Sequence, residues 1–193
     1  MMLAVFLAMT GRVDRSAHLD AAHQPKPVEL SMAFYTPGVG VMTEGMSARF
    51  PIRPNGWSVP APYSQTWLEK FGWDDPCDEG KTPLPLPKYP LAALRGILSA
   101  ANTVITFDAP EVDWGLRTWR AQITRRPDAA SVFRERTVII DTAKDAATAM
   151  GLDDRLPSFS EATEELLGEV RTGLDALLAL FNHQGIQAVR RAA

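Results

Sequence analysis

The sequence predicts one mixed α/β domain, and three observations support this fold class. Apolar residues at alternate positions near the amino terminus predict extended strands that pair with one another. In the second half, apolar residues at helical spacing alternate with short buried runs, which is typical of helices that cover a sheet. A chain of 193 residues with 46% apolar and 22% charged side chains is enough for one core of ordinary size. We therefore treat residues 1–193 as a single domain.

Three short segments near the amino terminus predict an antiparallel meander. Residues 4–7 form an apolar run that ends before Thr10 and Gly11, which is the length of a central strand. Residues 28–34 carry apolar side chains at every second position, the pattern of a half-buried strand. Residues 48–52 are a shorter third strand, because Pro54 and Gly56 follow at once.

The segment from about 51 to 90 predicts a long loop or insertion. It holds nine of the 15 prolines, which interrupt regular secondary structure. It also contains Trp57, Trp67 and Trp73, large aromatic side chains that either fix the loop to the core or bind a protein partner.

The second half predicts helices between parallel strands. Helical spacing is seen over 91–98, 116–123, 143–150 and 174–181, and buried strands over 104–107 and 137–140. Gly151 predicts the end of one helix, and Ser158 with Glu161 predicts a capping box that opens another. The expected order is β-β-β-loop-α-β-α-β-α-α-α, a mixed sheet flanked by helices.

Charge and composition exclude several classes of protein. A net charge of −3 gives no overall positive field to attract nucleic acid or an anionic membrane, so any nucleic-acid contact is local. No run of 18 apolar residues is present, so we expect no membrane span. The single Cys77 excludes an internal disulfide and a multi-cysteine zinc site, which agrees with a reducing, cytoplasmic location.

Three segments, in the right order, resemble a known family. They are residues 107–114 (Phe-Asp-Ala-Pro-Glu-Val-Asp-Trp), residues 138–142 (Val-Ile-Ile-Asp-Thr) and residues 156–168, which begin Leu-Pro-Ser. They are similar to segments of the proofreading-subunit-like 3'-5' exonucleases, the DEDDh group of the ribonuclease H-like fold. The resemblance implies that fold over nearly the whole chain.

The family's chemistry requires four carboxylates that hold two Mg²⁺ or Mn²⁺ ions and a histidine that acts as general base. By this resemblance, the first strand has Phe6 and Ala8, or Ala8 and Thr10, where acids are expected. The last helix has Leu174 in place of the histidine and Ala179 in place of an acid. Only Asp113 remains of the five groups. The resemblance therefore predicts a catalytically degenerate exonuclease-like protein that needs no cofactor.

Other charged residues leave an enzymatic alternative open. Asp108 and Glu111, together with Asp113 and Asp141, have the residue types of a rearranged Mg²⁺ or Mn²⁺ site, and Asp14 and Asp20 are further acids after the first strand. Against this, carboxylates at a strand end and in the first turn of a helix are favoured by the helix dipole without any metal. His18, His23 and His183 lie outside the position expected for the base, and Asp175 is expected on a solvated helix face.

A local basic region is the best nucleic-acid candidate. Arginine with interleaved aromatic side chains can pair with phosphates and stack on bases of a single strand. The predicted contact residues are Arg117, Arg120, Arg125, Arg126 and Trp114, with Arg134, Arg136 and Trp119 in the same region. A solvated helix face is the alternative, since Asp128 and Glu135 offset part of the charge.

The sequence thus supports three functions. The preferred one is a non-catalytic accessory subunit that binds a nucleic-acid 3' end or a replication or repair partner. The second is an active metal-dependent 3'-5' exonuclease with a rearranged carboxylate site. The third is a structural or assembly subunit that binds protein only, through the 51–90 segment.

Overall fold

The computed structural model describes residues 2–9, 11–19, 21, 24–25, 27–42, 46–49, 96–124 and 130–192. Its strands are β1 (Met2–Met9), β2 (Pro27–Thr36), β3 (Gly40–Val41), β4 (Met46–Arg49), β5 (Thr103–Thr106) and β6 (Val138–Asp141). Its helices are α1 (Ala109–Thr124), α2 (Thr142–Ala149), α3 (Phe159–Leu167), α4 (Gly173–Asn182) and α5 (Gln184–Ala192). Residues 96–100 are also helical.

The six strands in the described part of the chain belong to one mixed sheet with the order β3-β2-β1-β5-β6, and β4 also pairs with β2. The pairs β1–β2, β2–β3 and β2–β4 are antiparallel, whereas β1–β5 and β5–β6 are parallel. This is the predicted α/β arrangement, a mixed sheet in which an antiparallel meander is followed by parallel strands and helices flank the sheet, so the fold class is confirmed.

Strand β1 is the centre of the sheet because both of its faces are apolar and both are covered. One face carries Leu3, Val5 and Leu7 and packs with α1. The other face carries Phe6 between two alanines and packs with α4. Helices α2, α3 and α5 pack against the far side of α4 around Leu180 and Ile186. The sheet is therefore a layer between α1 and a group of four helices.

The parallel strands give the sheet two distinct edges. The carboxyl ends of β1, β5 and β6 meet at one edge, which we call the strand-end edge, and α1 and α2 begin there. The amino ends of β5 and β6 meet at the opposite edge, next to Asn102 and Thr137. Loops and helix termini lie at both edges, and binding or catalytic residues are commonly found on such segments.

Local signals in the sequence set several element boundaries as predicted. Ser158 accepts a hydrogen bond from the Glu161 backbone N–H, and the Glu161 side chain accepts one from the Ser158 N–H, which completes the capping box of α3. Gly151 has φ +69°, the left-handed conformation that stops α2. The predicted third strand, 48–52, overlaps β4 (Met46–Arg49), and its residues from 50 onward lie outside the described residues, as does the 51–90 segment with its tryptophans.

Helix α5 was not predicted as a separate element. His183 ends α4 with extended backbone angles, and its ring Nδ1 accepts a hydrogen bond from the Gly185 N–H at 3.1 Å, so the chain turns and starts a new helix. Among the described helices, none combines the length and the apolar character needed to cross a bilayer.

Candidate functional site

An apolar cluster lies where the resemblance requires metal-binding acids. Phe6 and Ala8 are only 4% and 5% exposed, and they lie on the face of β1 that packs against α4. The Phe6 ring is 5.2 Å from the ring of Phe159, which is 4.9 Å from that of Phe107. Leu174, at the position expected for the histidine, packs against the same cluster. We call Phe6, Ala8, Phe107, Phe159 and Leu174 the aromatic cluster.

The side chains of the aromatic cluster cannot bind a pair of divalent ions. Mg²⁺ and Mn²⁺ take oxygen ligands, chiefly carboxylates, and these side chains offer none. In the alternative alignment, Ala8 and Thr10 take the acid positions, and Thr10 lies outside the described residues. Within the described part of the chain, no group of three or more His, Cys, Asp or Glu side chains is placed to hold a metal ion.

The acidic residues at the strand-end edge are engaged in capping. Asp141, at the end of β6, accepts hydrogen bonds from the backbone N–H groups of Asp108, Ala109 and Ala143 at 2.9–3.2 Å. Asp108 has φ +53° and its carboxylate accepts from the Glu111 N–H at 3.2 Å. These contacts hold the starts of α1 and α2 together. The carboxylates therefore satisfy helix termini, as expected from the dipole.

Glu111 joins α1 to the segment that follows β1. Its Oε1 accepts a hydrogen bond from the Val13 N–H at 3.0 Å, and Oε2 lies 4.0 Å from the Arg15 guanidinium. Burial raises the pKa of Glu111, the Val13 N–H lowers it and the nearby Asp108 charge raises it further. Glu111 is thus a tether between two segments that are 98 residues apart in the sequence.

Burial also raises the pKa of Asp141, with opposing contributions from the backbone N–H groups of Ala109 and Ala143. The Asp108 charge raises the pKa further, and Lys144 lowers it. A carboxyl group whose pKa is higher in the folded state favours folding most at low pH. This contribution is lost as the pH rises from the unfolded pKa, about 3.9, through the folded value.

We expect Asp141→Asn to lower the free energy of unfolding by about 1–3 kcal/mol. The amide keeps one acceptor oxygen for the N–H groups of Asp108 and Ala143, but its NH₂ then faces the Ala109 N–H, which is left without an acceptor. Urea unfolding at several pH values from about 3.5 to about 7 measures the effect across the range where the carboxyl group titrates.

The pH dependence of the difference in unfolding free energy between the wild type and Asp141→Asn shows whether the titration of Asp141 contributes to it. Because the variant lacks the titrating group, the stability advantage of the wild type should shrink as the pH rises above about 4. Asp145→Asn in the first turn of α2 is the matched control, since its side chain is partly exposed and lies in the same helix. A difference that grows with pH would show that the Asp141 pKa is lowered, contrary to the structure.

Asp113, the acid that the resemblance matches to the family's site, holds a loop. Its Oδ1 accepts hydrogen bonds from the Ser131 hydroxyl and from the Val132 N–H, both at 2.7 Å. Its Oδ2 lies 3.6 Å from Nη1 of Arg117 one helical turn later. The Asp113 carboxylate is thus used to fix residues 130–133 to α1.

The arginines of the predicted nucleic-acid region differ in availability. Arg117 is 13% exposed in its side chain, is paired with Asp113 and lies 4.8 Å above the ring of Trp114. Arg120 donates a hydrogen bond to the Ala130 carbonyl at 3.3 Å. Both side chains therefore support α1 and the loop beside it.

The remaining residues of this region are placed differently. Trp119 is completely buried, and its ring packs with Leu116 between α1 and the sheet. It therefore cannot stack on nucleic-acid bases, and the interpretation of Trp119 as part of a binding surface is wrong. Arg125 and Arg126 lie outside the described residues. Arg134 and Arg136 are exposed on the loop before β6 and remain available to a ligand.

Sequence reasoning missed Glu29. It pairs with Ala8 across β1 and β2, so both side chains are on the face covered by α4, and Glu29 is only 4% exposed. Its Oε1 accepts a hydrogen bond from the Ser31 hydroxyl at 2.7 Å, and its Oε2 has no hydrogen-bond partner among the described residues. Oε1 lies 3.8 Å from where a β-carbon on Gly173 would be, at the amino end of α4. A carboxylate there is stabilised by the positive end of the helix dipole.

The structure describes two of the three histidines, together with Asp175. His18 is exposed, His183 receives the Gly185 N–H, and His23 lies outside the described residues. Asp175 is exposed on the first turn of α4, as predicted. Asp14 accepts from the Ser16 backbone and hydroxyl in its own turn, and Asp20 is outside the described residues.

No protein-family model matches the chain, and no curated protein matches it significantly. Solved structures do share its fold. One described as an "ExoI/SSB-Ct complex" superposes with a TM-score of 0.54 at 13% identity, covering 98% of this chain and 43% of that one. A crystal structure of E. coli Exonuclease I in complex with a 5cy-dA13 oligonucleotide gives a TM-score of 0.51 at 13% identity, covering 99% and 43%. The chain spans less than half the length of these proteins, and it has an exonuclease-like fold.

Proposed function

We propose that this chain is a non-catalytic, exonuclease-like protein that binds single-stranded nucleic acid as an accessory subunit in replication or repair. The observation that carries the proposal is the aromatic cluster. Phe6 and Ala8 fill the part of β1 where the resemblance requires acids, and they are packed under α4 rather than open to solvent. A site closed by interlocked rings favours a pseudoenzyme, in which the fold is retained and the chemistry is lost.

The nucleic-acid part of the proposal is supported by two observations. A structural neighbour, E. coli Exonuclease I, was crystallised with an oligonucleotide. In addition, Arg134 and Arg136 are exposed on one loop, where guanidinium groups can form paired hydrogen bonds with phosphate oxygens. Binding of this kind requires no metal ion and no general base.

The enzymatic alternative has less support. It needs Asp108, Glu111, Asp113 or Asp141 to turn toward Mg²⁺ or Mn²⁺, and each of these carboxylates now accepts backbone N–H groups. Releasing them would leave unsatisfied backbone donors at the starts of α1 and α2 and at Val13 and Val132, at a cost of about 1–3 kcal/mol for each group. The protein-only alternative depends on the 51–90 segment and remains open to the same test.

The test uses the full chain with a fluorescently labelled single-stranded oligonucleotide. We expect binding in EDTA, with an affinity that falls as salt is raised, and an intact oligonucleotide after incubation with Mg²⁺ or Mn²⁺. Shortening from the 3' end that requires the metal and disappears in Asp113→Asn would establish the enzyme alternative. Absence of any salt-dependent binding would favour a subunit that binds protein only.

A further inference from the structure

A groove of about 650 Å³ lies at the amino ends of β5 and β6, at the edge of the sheet opposite the strand-end edge. Its walls come from Asn102, before β5, and from the loop 130–137, before β6. This volume is in the range of pockets that hold small ligands, about 300–1,000 Å³, and is enough for a nucleotide unit. Of the acids discussed for catalysis, none that the structure describes lines it.

The loop that forms the groove is fixed at both ends. At its start, Asp113 accepts the Ser131 hydroxyl and the Val132 N–H, and Arg120 donates to the Ala130 carbonyl. At its end, the Thr137 N–H donates to the Arg134 carbonyl at 2.9 Å, which closes a tight turn. The Val138 N–H donates to the Asn102 carbonyl at 2.9 Å and joins the loop to the opposite wall. The backbone of the groove is therefore organised before any ligand arrives.

The polar lining of the groove is suited to a phosphate group. Arg134 and Arg136 are two residues apart on the exposed turn, and both line the groove. Glu135 also lines it and offsets one of the two charges, which leaves a net positive site. Asn102 adds an amide group that can donate hydrogen bonds to phosphate oxygens. Half-buried Phe133 and Val132 give the floor an apolar surface.

We propose that this groove binds the phosphodiester backbone of single-stranded nucleic acid, with Arg134 and Arg136 as the phosphate contacts. Asp113 acts there as a positioning residue that holds the loop, and not as a metal ligand. The inference rests on the proposed function, since it assigns the nucleic-acid contact of the same protein to one surface. The proposed positioning role also explains why Asp113 is present although Phe6, Ala8 and Leu174 stand where the resemblance expects the other metal-site residues.

The direct test compares two double variants of the full chain by fluorescence anisotropy with a labelled single strand of about 12 nucleotides. R134A/R136A removes both guanidinium groups from the groove. R155A/R171A removes the same charge from the segments before α3 and α4, where the arginines pair with Glu161 and Glu169. We expect R134A/R136A to weaken binding about tenfold or more, because charge-assisted contacts are lost, and to reduce the salt dependence by about 1.4 in slope.

The outcomes separate this inference from the proposed function. If the wild type binds but R134A/R136A binds equally well, or if R155A/R171A has the larger effect, the groove is not the site and the proposed function stands. If the wild type does not bind the oligonucleotide at all, the proposed function fails and the inference with it.

Asp113 variants test the positioning role. Asp113→Ala removes the acceptor of both loop hydrogen bonds, so we expect weaker binding in EDTA. Asp113→Asn keeps one acceptor oxygen for Ser131 and Val132, so it should recover most of the affinity. A metal ligand would behave differently, because asparagine and alanine would then both abolish a metal-dependent signal. Equal loss in Asp113→Asn and Asp113→Ala, with unchanged thermal melting, would overturn the positioning role.

Discussion

Replacing Phe6 by aspartate is expected to lower the free energy of unfolding by more than about 5 kcal/mol, which is enough to unfold a domain of ordinary stability. Removing a buried phenylalanine costs about 3–5 kcal/mol through lost contacts and the cavity that remains. The new carboxylate then lies between Phe159 and the α4 face, where Phe6 is 4% exposed and the lining is apolar. An ionised group without a partner in such a place costs several kcal/mol more. Circular dichroism and urea unfolding measure the result.

Phe6→Leu is the control for this substitution. It keeps an apolar side chain in the aromatic cluster, so we expect a loss of only about 1–1.5 kcal/mol and a folded protein. The comparison tests whether the position of β1 at which the resemblance expects an acid is part of the core. A Phe6→Asp protein that folds normally and binds Mn²⁺ would show that the site is still open to metal.

The sheet could be predicted because its central strand has an unusual pattern. Residues 4–7 are apolar on both faces, which only a strand covered on both sides requires, and β1 indeed packs with α1 and α4. The capping box at Ser158 and the left-handed Gly151 act within a few residues, so they are visible in the sequence. Local signals therefore predicted several boundaries, and two-sided burial predicted that the first strand is central.

The environment of Glu29 could not be predicted from its strand. Alternation in β2 assigned Glu29 and Ser31 to the face opposite Leu30 and Met32, which suggested exposure to solvent. In the structure, α4 packs over this face, although its first residue lies more than 140 residues further along the chain. Burial of this kind depends on tertiary packing, and the spacing of residues within one strand carries no record of it.

The role of Asp113 was equally hidden. A carboxylate in the first turns of a helix has several possible partners, and its position alone does not distinguish metal binding from loop anchoring. The deciding contacts come from Ser131 and Val132, 18 and 19 residues later, on a loop without periodic pattern. The motif drew attention to Asp113, whereas its contacts with Ser131 and Val132 became visible only in three dimensions.

Trp119→Ala is expected to lower the free energy of unfolding by about 3–5 kcal/mol. The Trp119 side chain is completely buried between α1 and the sheet, beside Leu116 and the β1 residues Leu3 and Val5. Trp119→Phe keeps an aromatic ring in the same space and should lose about 1–2 kcal/mol. Urea unfolding followed by far-ultraviolet circular dichroism avoids the change in fluorescence that the substitution itself causes.

The two Trp119 variants also test whether packing of the core supports the groove. Helix α1 carries Asp113 and Arg120 on the turns next to Trp119, and both residues hold the loop 130–133. Loss of the buried ring should let α1 shift, so we expect any folded Trp119→Ala protein to bind the oligonucleotide more weakly. Trp119→Phe should bind the oligonucleotide nearly as the wild type does. A loss of stability below about 1 kcal/mol, typical of a surface substitution, would mean that Trp119 does not pack α1 onto the sheet. Unchanged oligonucleotide binding in a strongly destabilised but folded variant would show that the groove keeps its shape without this support.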